Sequence, residues 1–224
     1  MRIRHLALAV AVPLGAVLLA SGCSRAAAGS SDPGGRIVAI GAESEYANVI
    51  GQVGGKYVLA SAILSNPNTD PHTFEASASV ARLVSSAQLV VQNGVGYDTF
   101  MNTIESAAPS SSRKVITVQD LLGLPESTPN PHLWYKPGTM AAVANAVAAD
   151  LAAVAPAHAS FFKAQAAAFV SSLSSWTHAI AEFKAKYAGT PVATTEPVAG
   201  YMLQAAGADN MTPWALQADI MNGT

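Results

Sequence analysis

Two of the five histidines in this 224-residue chain directly follow a proline. His72 lies in the run Asn66-Pro67-Asn68-Thr69-Asp70-Pro71-His72-Thr73-Phe74-Glu75, and His132 in Asn130-Pro131-His132-Leu133-Trp134-Tyr135. Proline fixes its own φ and biases the preceding residue to extended geometry, so each imidazole is presented from a stiff turn. Stiffness is what a metal ligand needs, because a preorganised site avoids an ordering cost on binding. Glu196, in Thr195-Glu196-Pro197, is the lone acid between Glu182 and Asp209. A carboxylate so isolated among apolar neighbours is more often partnered than free. Neutral imidazoles with carboxylate oxygens suit Zn²⁺, Mn²⁺ or Fe²⁺, whereas all-oxygen sets suit Mg²⁺ or Ca²⁺. Spacing alone leaves two readings open, with His72 and His132 either ligands or structural residues. Asp70 and Glu75 flank His72 and either orient its ring or do ordinary turn work. His5 belongs to the N-terminal leader, while His158 and His178 fall on a helical stretch and read as surface or partly packed residues. Trp134, Trp176 and Trp214 read as packing residues.

The elements that must position these groups follow from hydrophobic patterning. Short apolar runs alternate with longer helical ones, which is the signature of a parallel sheet with crossover helices. Strands are expected at residues 36–41, 57–64, 88–92 and 114–118, with helices at 45–53, 77–86 and 97–107. The result is an open α/β lobe with right-handed connections. Both Pro-His loops then fall at carboxyl ends of strands, where open α/β sheets bind ligands. The residues Gly94-Val95-Gly96 read as the turn from the third strand into the next helix rather than as an anion site. A proline-rich loop spans 123–137, followed by an Ala/Val-rich helix at 139–154 that is buried on most sides. Residues 157–187 contain no Gly or Pro and carry apolar residues at spacings of three and four. A helix that long would extend about 45 Å, longer than one lobe is wide, and it reads as a spine between lobes. A strand at 191–195 and a helix at 197–206 begin a second α/β lobe. One strand and one helix cannot build a core alone, so the tail either docks on the first lobe or the chain is a fragment.

The N-terminus carries an address. Arg2, Arg4 and His5 precede an apolar run from Leu6 to Ala20, about 15 residues, short of the ~20 needed to span a membrane but right for a signal-peptide core. It ends in Leu19-Ala20-Ser21-Gly22-Cys23, which resembles the bacterial lipobox. Cleavage would leave a diacylated Cys23 as the mature N-terminus, and two acyl chains give stable anchoring. Residues 23–35 are small, polar and turn-forming, a flexible stalk behind the lipidated cysteine. The expected organisation is a signal peptide at 1–22, the stalk at 23–35, a first lobe at 36–155, a connecting helix at 156–188 and the start of a second lobe at 189–224.

Composition narrows the function. Half the residues are hydrophobic and 12% are charged, so the chain is not intrinsically disordered. A formal charge of −2 argues against nucleic acid, which requires a surplus of Lys and Arg. One cysteine removes disulfide frameworks, four-thiolate zinc sites and iron–sulfur clusters.

The combination of the lipobox, Asp70-Pro71-His72-Thr73-Phe74-Glu75, Asn93-Gly94-Val95-Gly96-Tyr97-Asp98, Asn130-Pro131-His132-Leu133-Trp134 and Thr195-Glu196-Pro197 resembles the zinc/manganese family of bacterial ABC-transporter solute-binding lipoproteins. The resemblance covers residues 36 to 212. It implies two α/β lobes joined by one rigid helix, with a divalent metal held in the cleft by His72 and His132 of the first lobe and Glu196 of the second. The family's fourth ligand, a late Asp, has no counterpart here, because Asp209 and Asp219 come too early; the chain reads as truncated at its C-terminus. Asn130 stands where Asp is frequent, a departure expected to matter little to His132.

The resemblance therefore implies a receptor for Zn²⁺ or Mn²⁺, lipid-anchored on the extracytoplasmic face of the membrane and monomeric, that hands its ion to a permease. No catalytic motif is present: there is no G-x-S-x-G, H-E-x-x-H or Walker sequence. Two alternatives remain, a secreted zinc metallohydrolase using the same ligands and an adhesion or scaffold lipoprotein with structural metal.

Overall fold

The computed structural model describes residues 35–224 except Pro67, Asp70, His72 and Thr73. The expected signal peptide, Cys23 and the expected stalk up to residue 34 lie outside the described residues, as do His72 and Asp70. The elements are β1 (Ile37–Glu43), α1 (Ser44–Gly54), β2 (Val58–Leu64), α2 (Ala78–Ser86), β3 (Leu89–Gln92), α3 (Thr99–Ala107), β4 (Lys114–Thr117), α4 (Val118–Leu121), α5 (Thr139–Val154), α6 (Ala159–Ser172), α7 (Ser174–Tyr187), β5 (Pro191–Val192), α8 (Gly200–Ala205), β6 (Asp209–Asn210) and α9 (Trp214–Asn222).

β1 to β4 form one parallel sheet in the order β2-β1-β3-β4. All seven residues of β1 are buried, because this strand is central and both its faces are covered. Side chains alternate between those faces. Ile37 and Ala39 join Leu89 and Val91 against Val49, Ile50, Val53, Val147, Leu151 and Phe162, which come from α1, α5 and α6. Ile40, Ala42 and Val90 face Val84, Met101 and Ile104 of α2 and α3. The mixed α/β, parallel-sheet architecture is the one the alternating runs imply. The chain leaves β1 toward β2 on one side and reaches β3 on the other, so the connections diverge between β1 and β3. Such a divergence opens a crevice at the carboxyl ends of those two strands.

Several boundaries differ from the sequence reading. β1 continues two residues past Gly41 to Glu43, in register with Leu64 of β2. The 157–187 helical run is interrupted at Leu173, whose N–H bonds back to Val170 and Ser171 while its φ of −77° and ψ of −8° stay right-handed. Serines flank the break, and Ser172 Oγ donates to the Phe169 carbonyl at 2.6 Å, a back-bond that bends helices. α6 buries Phe162, Ala166 and Phe169 in the core shared by β1, β3, α1 and α5, whereas no residue of α7 is buried.

The fifth strand is shorter than expected, covering Pro191–Val192 and pairing in parallel with β6. The ladder stops because Thr194 is engaged by side chains: its N–H donates to Thr212 Oγ1 at 3.1 Å, and its carbonyl accepts from Gln217 Nε2. The following helix starts at Gly200 rather than Pro197. Trp134 packs as expected, but Trp214 is 43% exposed, since α9 buries Gln217 instead.

Phe162 is fully buried where α6 meets the sheet. Phe162→Ala is expected to cost about 3–5 kcal/mol, measurable by urea unfolding; a loss below ~1 kcal/mol would mean that α6 is not part of the core over the four-stranded sheet.

Candidate metal centre

His132 sits at the start of a 3₁₀ turn, Leu133–Tyr135, and is 4% exposed. The residue that fixes it is Asn130. Asn130 Oδ1 accepts from the His132 backbone N–H at 3.1 Å and stands 2.8 Å from His132 Nδ1. Asn130 Nδ2 donates to the Pro197 carbonyl at 2.8 Å. A carbonyl can only accept, so the amide orientation is settled, Oδ1 must accept, and His132 carries its proton on Nδ1. The lone pair is therefore on Nε2, the arrangement in which a histidine ligates through Nε2 while its other nitrogen is held by a neighbour.

Pro197 directly follows Glu196, so Asn130 links the His132 turn to the segment carrying that carboxylate. Tyr201 adds a further tie, its hydroxyl donating to the Asn130 carbonyl at 2.8 Å. Gly200 permits the approach: a Cβ there would stand 3.0 Å from Asn130 Nδ2. On the other side, Gln217 donates to the Thr194 carbonyl, and Asn210 Nδ2 donates to Thr194 Oγ1 at 3.2 Å. Glu196 itself is half-buried.

A second asparagine supports the turn from the end of β3. Asn93 is completely buried after β3; its Nδ2 donates to the Pro131 carbonyl at 2.9 Å, and its Oδ1 accepts from Tyr46 of α1 at 2.6 Å. The rings of Tyr97 and Trp134 pack edge-on against the His132 imidazole at 5.7 and 5.4 Å. Gly94, Val95 and Gly96 all have positive φ, strained for a β-branched valine. The turn is held by Gln119 Oε1, which accepts from Val95 N–H, and by Asp98, whose carboxylate accepts from the N–H groups of Asn93 at 2.6 Å and Gly94 at 2.9 Å. That loop is a turn, as expected, and the anion it binds is the chain's own Asp98.

Of the residues singled out from sequence, the structure describes His132, Glu196 and Glu75, the last exposed. Among the described residues, no three His, Cys, Asp or Glu side chains form a group that could hold a metal ion, and His72 lies outside that set. The sequence reading passes over Asn93, Tyr46 and Tyr201 as position-holders, and it treats Asn130 as a minor departure. An Asp at 130 could accept from His132 but could not donate to Pro197.

Glu43, also missed, ends β1 with 3% exposure. Its carboxyl is pushed well above the usual range, first by burial and then by the negative charges of Asp98 and Glu45. Asp98 is raised by its own burial, an effect opposed by the N–H groups it accepts from. A raised carboxyl stabilises the fold where it is protonated and loses that contribution as pH climbs through its folded pKa. In metal-free protein, the stability of Glu43→Gln relative to wild type is therefore expected to increase from pH 4 to pH 8 in urea titrations. A difference independent of pH would contradict this assignment.

No helix among the described residues is long and apolar enough to cross a membrane. Residues 42–222 match the family model described as zinc-uptake complex component A, periplasmic. No curated protein sequence matches the chain at a significant level. Among solved structures, Zn(II)-bound AdcA from Streptococcus pneumoniae superposes with a TM-score of 0.68 at 18% identity, covering 80% of this chain and 40% of that one. The metal-dependent lipoprotein YcdH from Bacillus subtilis gives 0.71 at 13% identity, covering 83% and 73%. A mutant, Mn-bound periplasmic metal-binding protein from Candidatus Liberibacter asiaticus gives 0.63 at 18%, covering 80% and 70%. This chain thus spans less than half of the AdcA chain, and at these identities the likeness establishes the fold. With the family match extending over most of its length, the chain belongs to the zinc-uptake complex component A family of periplasmic metal-binding proteins.

Proposed function

We propose that the chain is an extracytoplasmic receptor that captures Zn²⁺ or Mn²⁺ and delivers it to the permease of an ABC importer, with His72, His132 and Glu196 as metal ligands. In this reading a diacylated Cys23 tethers the receptor, residues 36–155 form the first lobe, 156–188 the connecting helix and 189–224 the beginning of the second lobe. The ion is cargo, not a resident cofactor, and no catalytic step is involved.

The observation that carries the reading is the double engagement of Asn130. One end of its amide sets the His132 tautomer that leaves a lone pair on Nε2, and the other grips the backbone beside Glu196. A structural histidine in a packed core needs only the first of these contacts. The second fits a residue that brings ligand-bearing segments from two parts of the chain to one place. The donor chemistry fits the cargo, since imidazole nitrogen with carboxylate oxygen suits both zinc and manganese.

Ligating imidazoles must be neutral, so metal affinity should fall as pH drops through ~6 and below. Release in the cell then depends on the permease drawing the ligand-bearing segments apart, because capture at neutral pH is strong.

Zinc titration of the full chain by calorimetry is expected to show one site, abolished or weakened at least a hundredfold in His132→Ala and weakened about 10–100-fold in Asn130→Ala. Zinc at a hundredfold excess over Kd should stabilise the fold by about 2.7 kcal/mol, with the gain reversed by chelator. Wild-type protein that binds no zinc or manganese, or affinity that is flat between pH 5 and pH 8, would overturn the reading.

A further inference from the structure

We propose that Glu43 keeps its proton and donates it in a hydrogen bond to Asp98, and that this carboxyl–carboxylate pair positions the His132 turn through Asn93. The second half rests on the reading of His132 as a metal ligand; the first does not.

Glu43 and Asp98 are both 3% exposed and meet at the carboxyl ends of β1 and β3. Gly41 of β1 pairs with Val91 of β3. Carrying that register on by two residues sets Glu43 abreast of Asn93, whose N–H Asp98 accepts. Among the described residues, no N–H of another residue donates to either oxygen of Glu43; the group it bonds is the Asp98 carboxyl. Two carboxyl oxygens repel unless a proton stands between them, so the contact requires one. Burial gives the same answer, because two adjacent negative charges without a cation cannot both be held away from water. Among the described residues, neither the cavity beside Glu43 nor the one beside Asp98 is bordered by Lys or Arg. The other titratable groups around the pair are Glu45, Tyr46 and Tyr97, and none of them brings positive charge.

The backbone decides which partner holds the proton. Asp98 accepts from the N–H groups of Asn93 at 2.6 Å and Gly94 at 2.9 Å, and such bonds favour the ionised form. Glu43 has only its own backbone N–H to set against its burial. The proton therefore belongs to Glu43, and its O–H···O⁻ bond to Asp98 is charge-assisted, of the stronger kind.

Asp98 passes that restraint on. By holding the N–H groups of Asn93 and Gly94 it fixes the backbone from which the Asn93 side chain reaches the Pro131 carbonyl, donating to it at 2.9 Å. Pro131 immediately precedes His132. Tyr46 supports the same side chain, its hydroxyl donating to Asn93 Oδ1 at 2.6 Å. Taking the proton from Glu43 would set two carboxylates against each other at the base of this relay, and taking the side chain would leave Asp98 without that donor. Both residues act through Asn93 rather than on the ion.

The test has two readouts on the full chain: the infrared carbonyl stretch of protonated carboxylic acid in metal-free protein at pH 7.5, and titration with ZnCl₂. An acid band present in wild type is expected to vanish in Glu43→Gln and persist in Asp98→Asn. Glu43→Leu, which keeps the bulk but has no donor, should weaken zinc binding about tenfold. Glu43→Gln, whose amide is a neutral donor of nearly the native shape, should recover most of that loss. Identical acid bands in wild type and Glu43→Gln would overturn the proposal by showing Glu43 ionised. A band lost in Asp98→Asn and kept in Glu43→Gln would overturn it by placing the proton on Asp98. Wild-type zinc affinity in Glu43→Leu, or affinity in Glu43→Gln as low as in Glu43→Leu, would overturn the positioning role. The infrared comparison decides the pair whether or not the leucine variant folds. Zinc binding unaffected by His132→Ala would instead sink the proposed function, and the acid band would still uphold or overturn the proton on Glu43.

Discussion

A single amide holds the candidate centre together. Asn130 accepts from His132 with its oxygen and donates to the Pro197 carbonyl with its nitrogen, and these roles cannot be exchanged without facing donor against donor and acceptor against acceptor. Three neighbours help to keep that amide in place. Asn93 pins Pro131, Tyr201 caps the Asn130 carbonyl, and Gly200 leaves the space that α8 needs to come close. The network is buried, and buried hydrogen bonds of this kind carry weight because an orphaned partner would bear its full desolvation cost.

The fold explains why this network lies where it does. A fully buried central strand requires helices on both faces, and the order β2-β1-β3-β4 separates the connections at the carboxyl ends of β1 and β3. Glu43, Asn93 and Asp98 all gather there, on the last residue of β1 and on the turn after β3. The same end of the sheet faces the 3₁₀ turn that bears His132, which α5 follows and secures from one side of the sheet. The core at this edge is otherwise apolar, and Glu43 is its buried acidic exception, facing Asp98 across the ends of the two strands.

Much of this is legible in the sequence because it rests on local patterns. Alternating apolar runs imply the parallel sheet, and α5 matches its expected bounds of Thr139 and Val154. The Pro-His pairs mark His132, and the spacing of Phe161, Phe162, Ala166 and Phe169 marks the buried face of α6. What stays hidden depends on contacts distant in the chain. The Asn130–Pro197 bond joins residues 67 apart, and no local signal distinguishes an asparagine that donates to a distant segment from one that merely starts a turn. The break at Leu173 is readable in principle from the serines around it, and Glu43 from the acid that closes an otherwise apolar strand. Both run against the prevailing periodicity, which outweighs a single polar exception when a pattern is all there is to read. Thr194 ends β5 early for the same class of reason, through side-chain bonds to Thr212 and from Gln217 that a strand pattern does not announce.

The most direct measurement of the central claim is a zinc-edge anomalous difference map from crystals of the full chain grown with zinc. The account predicts one strong peak about 2.0–2.1 Å from His132 Nε2, with a Glu196 carboxylate oxygen at about 2.0–2.2 Å. A peak bound elsewhere, with His132 Nε2 turned into protein contacts and Glu196 facing solvent, would contradict it.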